Sequence, residues 1–374
     1  MLSLYVHIPF CRKRCSYCDF YLVAGTLRME DFFVALRRET ASRASLLKGQ
    51  TIGAIHFGGG TPSMASPSLL GSWLEQVASL ASFAPDMEIA LEANPEDLKG
   101  SAANEFHQAG VNRLSLGVQS FSSEKLSSLG RAHSPREAMA AARDAVRMFD
   151  SVSLDLICGV PGEDRGVWQD DLERAKESEA QHVSVYMLSL EPRTLLSRDV
   201  SAGRVRVPDE GEQAGFYMQA LKELKAAGYG HYEVSNFAMP GCHSRYNLAS
   251  WKREPYIGYG PSAHSFLRTE EGELRTANEA SLSRYLSSPQ AAEGFREVLG
   301  ERERFEEQVF LSLRINSGLS IEFLRKGNTL PNEMMKALET MEERGWIRYE
   351  NGALYLTDPG FLFADLIAAE LIPY

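Results

Sequence analysis

Short apolar runs rich in β-branched residues alternate with longer amphipathic stretches up to about residue 238. The apolar runs predict strands at residues 3–9, 51–58, 87–93, 113–118, 151–157, 182–188 and 230–236. The amphipathic stretches predict helices near residues 29–47, 66–82, 99–109, 135–147, 166–178 and 210–227. This alternation indicates βα units and a parallel sheet, either doubly wound or closed into a partial or complete barrel.

The pattern changes after this series of βα units. Residues 239–300 contain several prolines and glycines and little periodicity, so we expect an irregular segment there. From residue 301 the pattern predicts three helices, the second within SIEFLRKG (320–327), and then a hairpin with an Asn351-Gly352 turn. The expected organisation is therefore a barrel over 1–238, the irregular segment, and a winged-helix-like unit over 301–374.

Composition and charge narrow the classes of function. The 374 residues include 39 basic and 50 acidic side chains, a net charge of −11, which argues against nucleic-acid binding. We therefore interpret the C-terminal unit as a packing module or lid. The sequence shows neither a signal peptide nor an apolar run of the roughly 20 residues that a membrane helix needs. These features predict a cytoplasmic protein without a transmembrane segment, and they leave peripheral membrane contact open.

Three of the five cysteines lie in one short stretch, Cys11-Arg-Lys-Arg-Cys15-Ser-Tyr-Cys18. This spacing after a predicted strand indicates a metal site in a reducing compartment rather than disulfide bridges. Three thiolates so placed are able to hold three irons of a [4Fe–4S] cluster, which leaves the fourth iron open. The alternative is a structural zinc site, with His7 or Asp19 as the fourth ligand. The basic residues between the first two cysteines are expected to favour ionised thiols.

With Tyr17 inside the loop, this Cys-x3-Cys-x-aromatic-Cys motif resembles that of the radical SAM superfamily. The resemblance implies that the open iron of the cluster chelates the amino and carboxylate groups of S-adenosylmethionine. It also implies reductive cleavage of this cofactor to methionine and a 5′-deoxyadenosyl radical, with Tyr17 beside the adenine. The implied fold is a partial (β/α)6 TIM-like barrel with a small C-terminal winged-helix-like domain.

Residues at the ends of later strands extend the resemblance. The glycines at 58–60 permit close approach of the backbone to a ligand, and they resemble the superfamily's strand-two motif. Side chains at the carboxyl ends of parallel strands converge on the mouth of a barrel. There Glu92 and Asp155 would accept hydrogen bonds from an ammonium and ribose hydroxyls, and Arg131 would bind a carboxylate. The residues assigned to S-adenosylmethionine are Tyr5, Tyr17, Gly59, Gly60, Thr61, Glu92, Gln119, Arg131 and Asp155.

The resemblance continues through HYEVSNFAMPG (231–241) and YIGYGPSAHSF (256–266). Over these segments the sequence is similar to the coproporphyrinogen III oxidase-like branch of the superfamily. This branch contains oxygen-independent oxidases and shorter HemW proteins, which are haem chaperones. The oxidases carry a further cysteine two residues after the triad, where this chain has Phe20. They also carry a long arm before the cysteines, whereas the motif here begins at residue 11. Both features favour the HemW group.

One motif departs from the HemW pattern. HemW proteins resemble one another in a His-Asn-x-x-Tyr-Trp motif that contacts haem, and residues 246–251 here read Tyr-Asn-Leu-Ala-Ser-Trp. Tyrosinate, histidine and cysteine thiolate all ligate haem iron, so Tyr246, His243 and Cys242 are candidate ligands. Trp251 is a candidate for stacking on the porphyrin. His264 is a further candidate, and a packing role for each of these residues stays open.

The function implied by the resemblance is a haem chaperone that binds haem and passes it to acceptor haemoproteins, with a reducing partner such as a flavodoxin. The alternative is an oxygen-independent coproporphyrinogen III oxidase or another radical SAM oxidoreductase. Because Phe20 replaces the further cysteine, we expect no coproporphyrinogen oxidase activity. Whether S-adenosylmethionine is cleaved during function stays open.

Overall fold

The computed structural model describes residues 1–325 and 330–372. The strands are β1 (Leu2–Ile8), β2 (Phe10–Cys11), β3 (Val23–Ala24), β4 (Thr51–Gly59), β5 (Ser82–Ala93), β6 (Arg113–Gln119), β7 (Ser151–Cys158), β8 (His182–Met187), β9 (Gly230–Glu233), β10 (Asn236–Ala238), β11 (Tyr256–Tyr259), β12 (His264–Thr269), β13 (Gly272–Asn278), β14 (Glu293–Val298), β15 (Leu319–Ser320), β16 (Ile347–Glu350) and β17 (Ala353–Leu356). The helices are α1 (Met29–Ser42), α2 (Ala44–Leu47), α3 (Pro67–Leu80), α4 (Ala102–Gln108), α5 (Ser123–Leu129), α6 (Pro135–Val146), α7 (Arg165–Glu177), α8 (Leu195–Ser201), α9 (Glu210–Ala226), α10 (Arg245–Trp251), α11 (Leu282–Ser287), α12 (Glu301–Ser312), α13 (Ile321–Arg325), α14 (Asn332–Glu343) and α15 (Ala364–Leu371).

One large sheet organises the molecule, in the order β14-β13-β12-β11-β1-β4-β5-β6-β7-β8-β10-β9. Strands β1 and β4 to β8 pair in parallel, each with the next along the chain. These six strands and the helices between them form the partial (β/α)6 barrel that the sequence predicts. Strand β11 adds in parallel beside β1, and β10 adds in antiparallel fashion beside β8.

Strand β1 illustrates how the sequence separates the two faces of the barrel wall. Leu4 and Val6 are fully buried in the apolar core that the strands share with the surrounding helices, where Phe33 also lies. Because side chains alternate along a strand, Tyr5 and His7 point to the opposite face, inside the barrel. Polar and aromatic residues on that inner face line the space where the candidate site lies.

Most predicted strands of the barrel are confirmed within a few residues, but two predictions in this part of the chain are wrong and two helices were missed. The single strand expected at 230–236 is a hairpin, β9 and β10, and the helix expected at 29–47 divides at Arg43. Helices α5 and α8 were not predicted, because each is only seven residues long and serine-rich or flanked by polar residues. The pattern of a short helix resembles that of a turn.

The prediction of an irregular segment over 239–300 is also wrong. This range contains α10, α11 and strands β11 to β14, which extend the main sheet. Two of its glycines are required by close packing: a Cβ on Gly258 would lie 2.1 Å from the carbonyl oxygen of His264, and one on Gly260 would lie 2.4 Å from that of His7. Strand β14 is exposed along its whole length, so its sequence carries no alternation of apolar and polar residues.

The connection from β10 to β11, which we call the crossover segment (residues 239–255), crosses the inner face of the barrel. It joins the two ends of the parallel part of the sheet, because β10 lies beside β8 and β11 beside β1. Its helix α10 packs against the inner face, where the ring of Tyr246 stacks on His56 at 4.9 Å. The segment expected to carry the haem candidates therefore packs against the inside of the barrel, on strands β4 and β5.

The C-terminal unit has the winged-helix-like arrangement that the sequence predicts. Helices α12 to α15 surround a three-stranded sheet in the order β15-β17-β16. The hairpin turns at Asn351 and Gly352, with φ angles of 50° and 78°. Lys326 and Gly327, at the end of the predicted segment 320–327, lie outside the described residues. Among the described helices, none is long and apolar enough to cross a bilayer.

Candidate functional site

The loop after β1 brings the three predicted cysteines to the carboxyl end of the barrel. Neighbouring elements hold this loop: the backbone N–H of Ser16 donates to Leu129 O at 3.2 Å, and its hydroxyl donates to Ser128 O at 2.9 Å. The carbonyl of Ser16 in turn accepts from Leu196 N at 2.9 Å. The unpredicted helices α5 and α8 thus fix the cysteine loop in place.

The three cysteines are free thiols in differing environments. Cys11 is buried and accepts a hydrogen bond from Thr61 Oγ1 at 3.3 Å, while Cys15 accepts one from Arg131 Nη1 at 3.6 Å. Burial raises the pKa of both Cys11 and Cys18, and the neighbouring thiols raise it further. Arg131 and Arg14 lie beside Cys15 and Cys18, whereas the guanidinium of Arg12 binds Asp97 at 2.6 Å.

The zinc alternative does not fit the donors around the loop. Both ring nitrogens of His7 are already used, Nδ1 with the Tyr5 hydroxyl at 3.2 Å and Nε2 with Tyr21 O at 2.9 Å. Within residues 1–325 and 330–372, no three Cys, His, Asp or Glu side chains converge as the ligands of one metal ion. A [4Fe–4S] cluster instead takes each thiolate on a separate iron, which suits three cysteines spread along a loop.

The glycine turn after β4 packs directly against the cysteine loop. Gly59 has a φ of 109° and donates its N–H to Glu92 Oε2 at 3.2 Å. A Cβ on Gly60 would lie 2.6 Å from the carbonyl oxygen of Phe10, so glycine is required there by close approach. The next residue, Thr61, donates its N–H to the same carbonyl at 2.7 Å. Gly60 N also donates, to Ile8 O at 2.8 Å, so the turn is fixed against the cysteine loop by its own backbone and places no side chain at residues 59 and 60.

Glu92 lies at the carboxyl end of β5 and is held by two contacts. Its Oε1 pairs with His56 Nε2 at 2.9 Å, and its Oε2 accepts from Gly59 N at 3.2 Å. The side chain remains 38% exposed, so the carboxylate faces the mouth of the barrel. A carboxylate fixed in this way is suited to accept hydrogen bonds from an ammonium group.

Arg131 connects the thiols through a chain of hydrogen bonds. It follows Gly130, whose φ of 73° ends helix α5, and its Nη2 donates to Asn94 Oδ1 at 2.5 Å and to Gly117 O at 2.8 Å. Asn94 Nδ2 in turn donates to Thr61 Oγ1 at 3.4 Å. The Nε of Arg131 is buried and has no partner among the described residues, which leaves one donor for a ligand.

Gln119, Asp155 and Tyr17 complete the mouth. Gln119 ends β6 with a φ of 65°, a left-handed conformation that non-glycine residues adopt mainly at functional sites. Asp155 accepts from the Ser115 hydroxyl at 2.9 and 3.0 Å, and burial raises its pKa to about 6 despite this contact. The ring of Tyr17 packs on a small apolar cluster that includes Leu129, and burial raises its pKa.

The structure thus brings together at one end of the barrel all the residues predicted for the cluster and S-adenosylmethionine except Tyr5. Tyr5 lies deeper, inside the barrel, where its ring stacks on His56 at 6.0 Å and on Tyr246 at 5.9 Å. Its hydroxyl contacts His7 Nδ1 at 3.2 Å, and its ring edge lies beside Gly58, next to the carboxylate of Glu92.

The four haem candidates lie on the crossover segment, towards the amino ends of the strands. Arg113, the first residue of β6, donates to the carbonyl of Cys242 at 3.0 Å. His243 stacks on Tyr232 at 4.3 Å, and its pKa is lowered by burial and then by nearby cations. Trp251 donates a side-chain hydrogen bond to the buried Glu233. Cys242 and His243 therefore lie at the amino end of the barrel, opposite the candidate cluster site, whereas Tyr246 lies inside the barrel against His56.

Two buried carboxylates that sequence reasoning missed hold the crossover segment. Glu88 accepts hydrogen bonds from the backbone N–H of Arg245 at 3.1 Å and of Tyr246 at 3.2 Å, at the amino end of α10. Glu233 holds the other end through Trp251, and burial raises its pKa to about 7. Glu88 precedes Glu92 by four residues on β5, so the two share one face, and this spacing was the available signal.

Two known protein families match two different parts of the chain, the barrel and the C-terminal unit. The pattern of the radical SAM superfamily matches residues 5–175, and that of the HemN C-terminal domain matches residues 299–363. The fold is similar to that of coproporphyrinogen III oxidase HemN from Escherichia coli, with a TM-score of 0.84, 23% identity, and coverage of 100% of this chain and 90% of that one. The class defined by fold and site is thus a radical SAM protein.

Relatives over the full length narrow the class further. Heme chaperone HemW of Bacillus subtilis is 34% identical over 376 residues, covering 98% of this chain and 97% of that protein. The Escherichia coli protein of the same name is 32% identical, covering 97% of this chain and 96% of its own length. The mitochondrial radical S-adenosyl methionine domain-containing protein 1 of Bos taurus is 38% identical, with coverage of 99% and 87%. The chain belongs to the HemW family.

Proposed function

We propose that the chain binds haem and delivers it to acceptor haemoproteins, and that it holds a [4Fe–4S] cluster and S-adenosylmethionine at the mouth of the barrel. The observation that carries this proposal is the near full-length similarity to proteins named heme chaperone HemW. It covers the barrel, the crossover segment and the C-terminal unit together, so the whole architecture of a haem carrier is matched rather than one motif.

Cys11, Cys15 and Cys18 would each hold one iron of the cluster. The chemistry that this group supplies, when bound and reduced, is an electron for the sulfonium of S-adenosylmethionine. The protein's own contribution is to keep the thiols on one loop, with Thr61 and Arg131 as hydrogen-bond donors to two of the sulfurs. Such donors favour the ionised thiolate that iron requires.

The other residues of the mouth would bind and orient S-adenosylmethionine. Glu92, fixed by His56 and Gly59, would accept the ammonium, and Arg131 would donate its free Nε towards the carboxylate. Asp155 would accept from the ribose hydroxyls. Gly59, Gly60 and Thr61 leave room beside the thiols, while Tyr17 and Gln119 border the space for the adenine.

Phe20 supports carriage of haem over oxidation of coproporphyrinogen. It stands where the oxidases of this branch have a further cysteine, and its side chain is 68% exposed beside the cysteine loop. A phenyl group offers neither a proton nor a thiolate, so no fourth sulfur is present at this position. The exposed ring and the cationic Arg14, whose Nη1 donates to Phe20 O at 3.3 Å, also offer a docking surface for an electron donor, for which an acidic flavodoxin-like protein is suited.

The free thiols of all five cysteines are in keeping with a reducing, cytoplasmic environment, and we infer that location.

The experiment is haem transfer from the anaerobically reconstituted, haem-loaded protein to an apo-haemoprotein, with coproporphyrinogen III supplied in parallel to a second sample. We expect the acceptor's Soret spectrum to develop and the porphyrinogen to remain unchanged. Free haemin at the same concentration is the control for spontaneous transfer. No transfer above that control, together with decarboxylated porphyrinogen, would contradict the proposal.

A further inference from the structure

Hydrogen bonds between buried side chains inside the barrel join the crossover segment to Asp155. The backbone N–H of Ser244 donates to the hydroxyl oxygen of Tyr232 at 3.2 Å, and this hydroxyl bonds to His182 Nε2 at 2.9 Å. The other ring nitrogen, His182 Nδ1, bonds to the hydroxyl of Ser153 at 2.8 Å, and Ser153 donates to Asp155 Oδ1 at 3.2 Å. Tyr232, His182 and Ser153 are at most 2% exposed, so these bonds lie in a medium where each is stronger than in water.

The two ends of this chain of hydrogen bonds determine where the proton of the His182 ring lies. A backbone N–H only donates, so the oxygen of Tyr232 accepts from Ser244 and its hydroxyl proton is directed to His182 Nε2. An ionised carboxylate only accepts, so the hydroxyl proton of Ser153 is directed to Asp155 and its oxygen accepts from His182 Nδ1. Both arguments give the same neutral imidazole, with its proton on Nδ1 and a lone pair on Nε2.

The surroundings of His182 keep its ring neutral. Burial lowers the pKa of this imidazole well below its ordinary value, and Arg113 and His243 lower it further. A protonated ring would carry a second N–H, which would oppose the hydroxyl proton of Tyr232. The neutral form with its proton on Nδ1 is therefore the one that satisfies every bond of the chain.

Asp155 needs hydrogen-bond donors because its surroundings disfavour the ionised form. Burial raises its pKa to about 6, and the carboxylate of Glu92 raises it as well. The phenols of Tyr17 and Tyr186 also face it, and burial raises their pKa, so both stay protonated. Three hydroxyl groups act in the opposite direction, those of Ser115, Ser184 and Ser153. The hydroxyl of Ser153 itself accepts from His182, and a hydroxyl that accepts a hydrogen bond is a stronger donor.

We propose that His182 is a positioning residue of the cofactor site: with its proton on Nδ1 it donates to Ser153, and so directs the Ser153 hydroxyl proton onto Asp155. This inference deepens the proposed function and rests on it, because Asp155 is there the residue that accepts from the ribose hydroxyls of S-adenosylmethionine. His182 acts through Ser153 and favours the ionised carboxylate. Its effect is therefore confined to the pH range in which Asp155 titrates.

The test is calorimetric titration of the anaerobically reconstituted full chain with S-adenosylmethionine at pH 6 and pH 8. His182→Phe removes the donor to Ser153, and we expect the pKa of Asp155 to rise by about 1. The affinity should then be about fivefold lower than that of the unaltered protein at pH 6, and nearly equal at pH 8, where the carboxylate is ionised in both. His182→Asn, whose amide N–H takes the place of the Nδ1–H, should restore the affinity at pH 6.

The matched control is His231→Phe. It removes a second buried imidazole that contacts a tyrosine hydroxyl, that of Tyr217 at 3.3 Å, outside the chain of hydrogen bonds. This variant should bind S-adenosylmethionine as the unaltered protein does at both pH values. Tyr232→Phe, the smallest change to the chain, carries the test should His182→Phe fail to fold, and it should lower the affinity about twofold at pH 6 and not at pH 8.

The nitrogen-15 spectrum of the histidine side chains provides a readout that needs no cofactor. The signals that disappear in His182→Phe should be those of a neutral ring protonated on Nδ1. Protonation on Nε2 would overturn the inference and leave the proposed function standing, and so would a loss of affinity of equal size at pH 6 and pH 8, which a merely structural role produces. Absence of S-adenosylmethionine binding by the unaltered protein would overturn the proposed cofactor site and the inference with it.

Discussion

The two ends of the barrel are built in different ways. At the carboxyl end, the loop and turns that follow successive strands bond to one another: Cys11 to Thr61, Thr61 to Asn94, and Asn94 to Arg131. At the amino end and inside the barrel, the short segment 242–251 carries the haem candidates, and no residue of its helix α10 is fully buried. The side chains of the mouth are therefore held in place by the barrel itself. The position of the crossover segment depends instead on two buried carboxylates, Glu88 and Glu233.

This difference indicates that the two regions have different functions. A site that must hold a metal cluster and orient a cofactor needs fixed donors on rigid elements. A site that must accept and release cargo needs weaker attachment, which lightly buried segments supply. We therefore expect changes at the mouth to affect the cluster and S-adenosylmethionine, and changes on the crossover segment to affect haem.

The largest expected effect is at the cysteine loop. Replacing Cys15 by alanine should abolish the cluster, because two thiolates do not hold the cube. Iron and acid-labile sulfide should fall to background after reconstitution, while haemin still saturates the crossover segment. Retention of the broad cluster absorption band by this variant would contradict the assignment. Cys158→Ala, at a buried core cysteine, is the matched control.

The next effect is at Glu92. Glu92→Gln should keep the cluster and weaken binding of S-adenosylmethionine about tenfold to a hundredfold, the range for losing a charged hydrogen bond. Isothermal titration calorimetry measures this directly. Haem affinity should not change, although Glu92 reaches Tyr246 through His56. A parallel loss of haem affinity would show that the two ends are coupled rather than separate.

A smaller effect is expected when the pH is lowered, on the affinity for S-adenosylmethionine. Burial raises the pKa of Asp155 to about 6, so the carboxylate that would bind ribose is lost as the pH falls through that value. Affinity for S-adenosylmethionine should be about tenfold weaker at pH 5 than at pH 8. Asp155→Asn should bind weakly at both values. A profile that is flat in the unaltered protein would remove Asp155 from the site.

The smallest effect concerns the anchor of the crossover segment. Burial raises the pKa of Glu233 to about 7, so the folded state favours its protonated form, and this contribution to stability is lost as the pH rises through 7. Glu233→Gln, neutral at every pH, should raise the free energy of unfolding at pH 8 on the order of 1 kcal/mol. Urea titrations at pH 8 and pH 5 would test this, with a much smaller gain expected at pH 5, close to the ordinary pKa of 4.5. A gain of equal size at both values would contradict the titration of Glu233.

The barrel was predictable because its strands are buried on both faces and read as apolar, β-branched runs. The same reasoning failed over 239–300, where strand β14 is exposed and Gly258 serves close packing rather than a turn. The signal for structure there lies in pairing with distant strands, which periodicity along the chain does not contain.

The mouth was predictable because its residues follow consecutive strands, and the carboxyl ends of parallel strands meet. Tyr5 was the exception: it lies three residues before the end of β1, which places it about 10 Å deeper in the barrel than the strand end. The roles of His56 and Glu88 could not be derived, because they depend on which side chain the crossover segment brings opposite them.

The most direct test of two separate ends is simultaneous occupancy. A single anaerobic sample of reconstituted protein, loaded with haemin and freed of excess, would be analysed for non-haem iron, acid-labile sulfide and haem. The account predicts about four irons, about four sulfides and about one haem per chain. Loss of the cluster in proportion to the haem gained would show that both occupy one site, and would contradict the account.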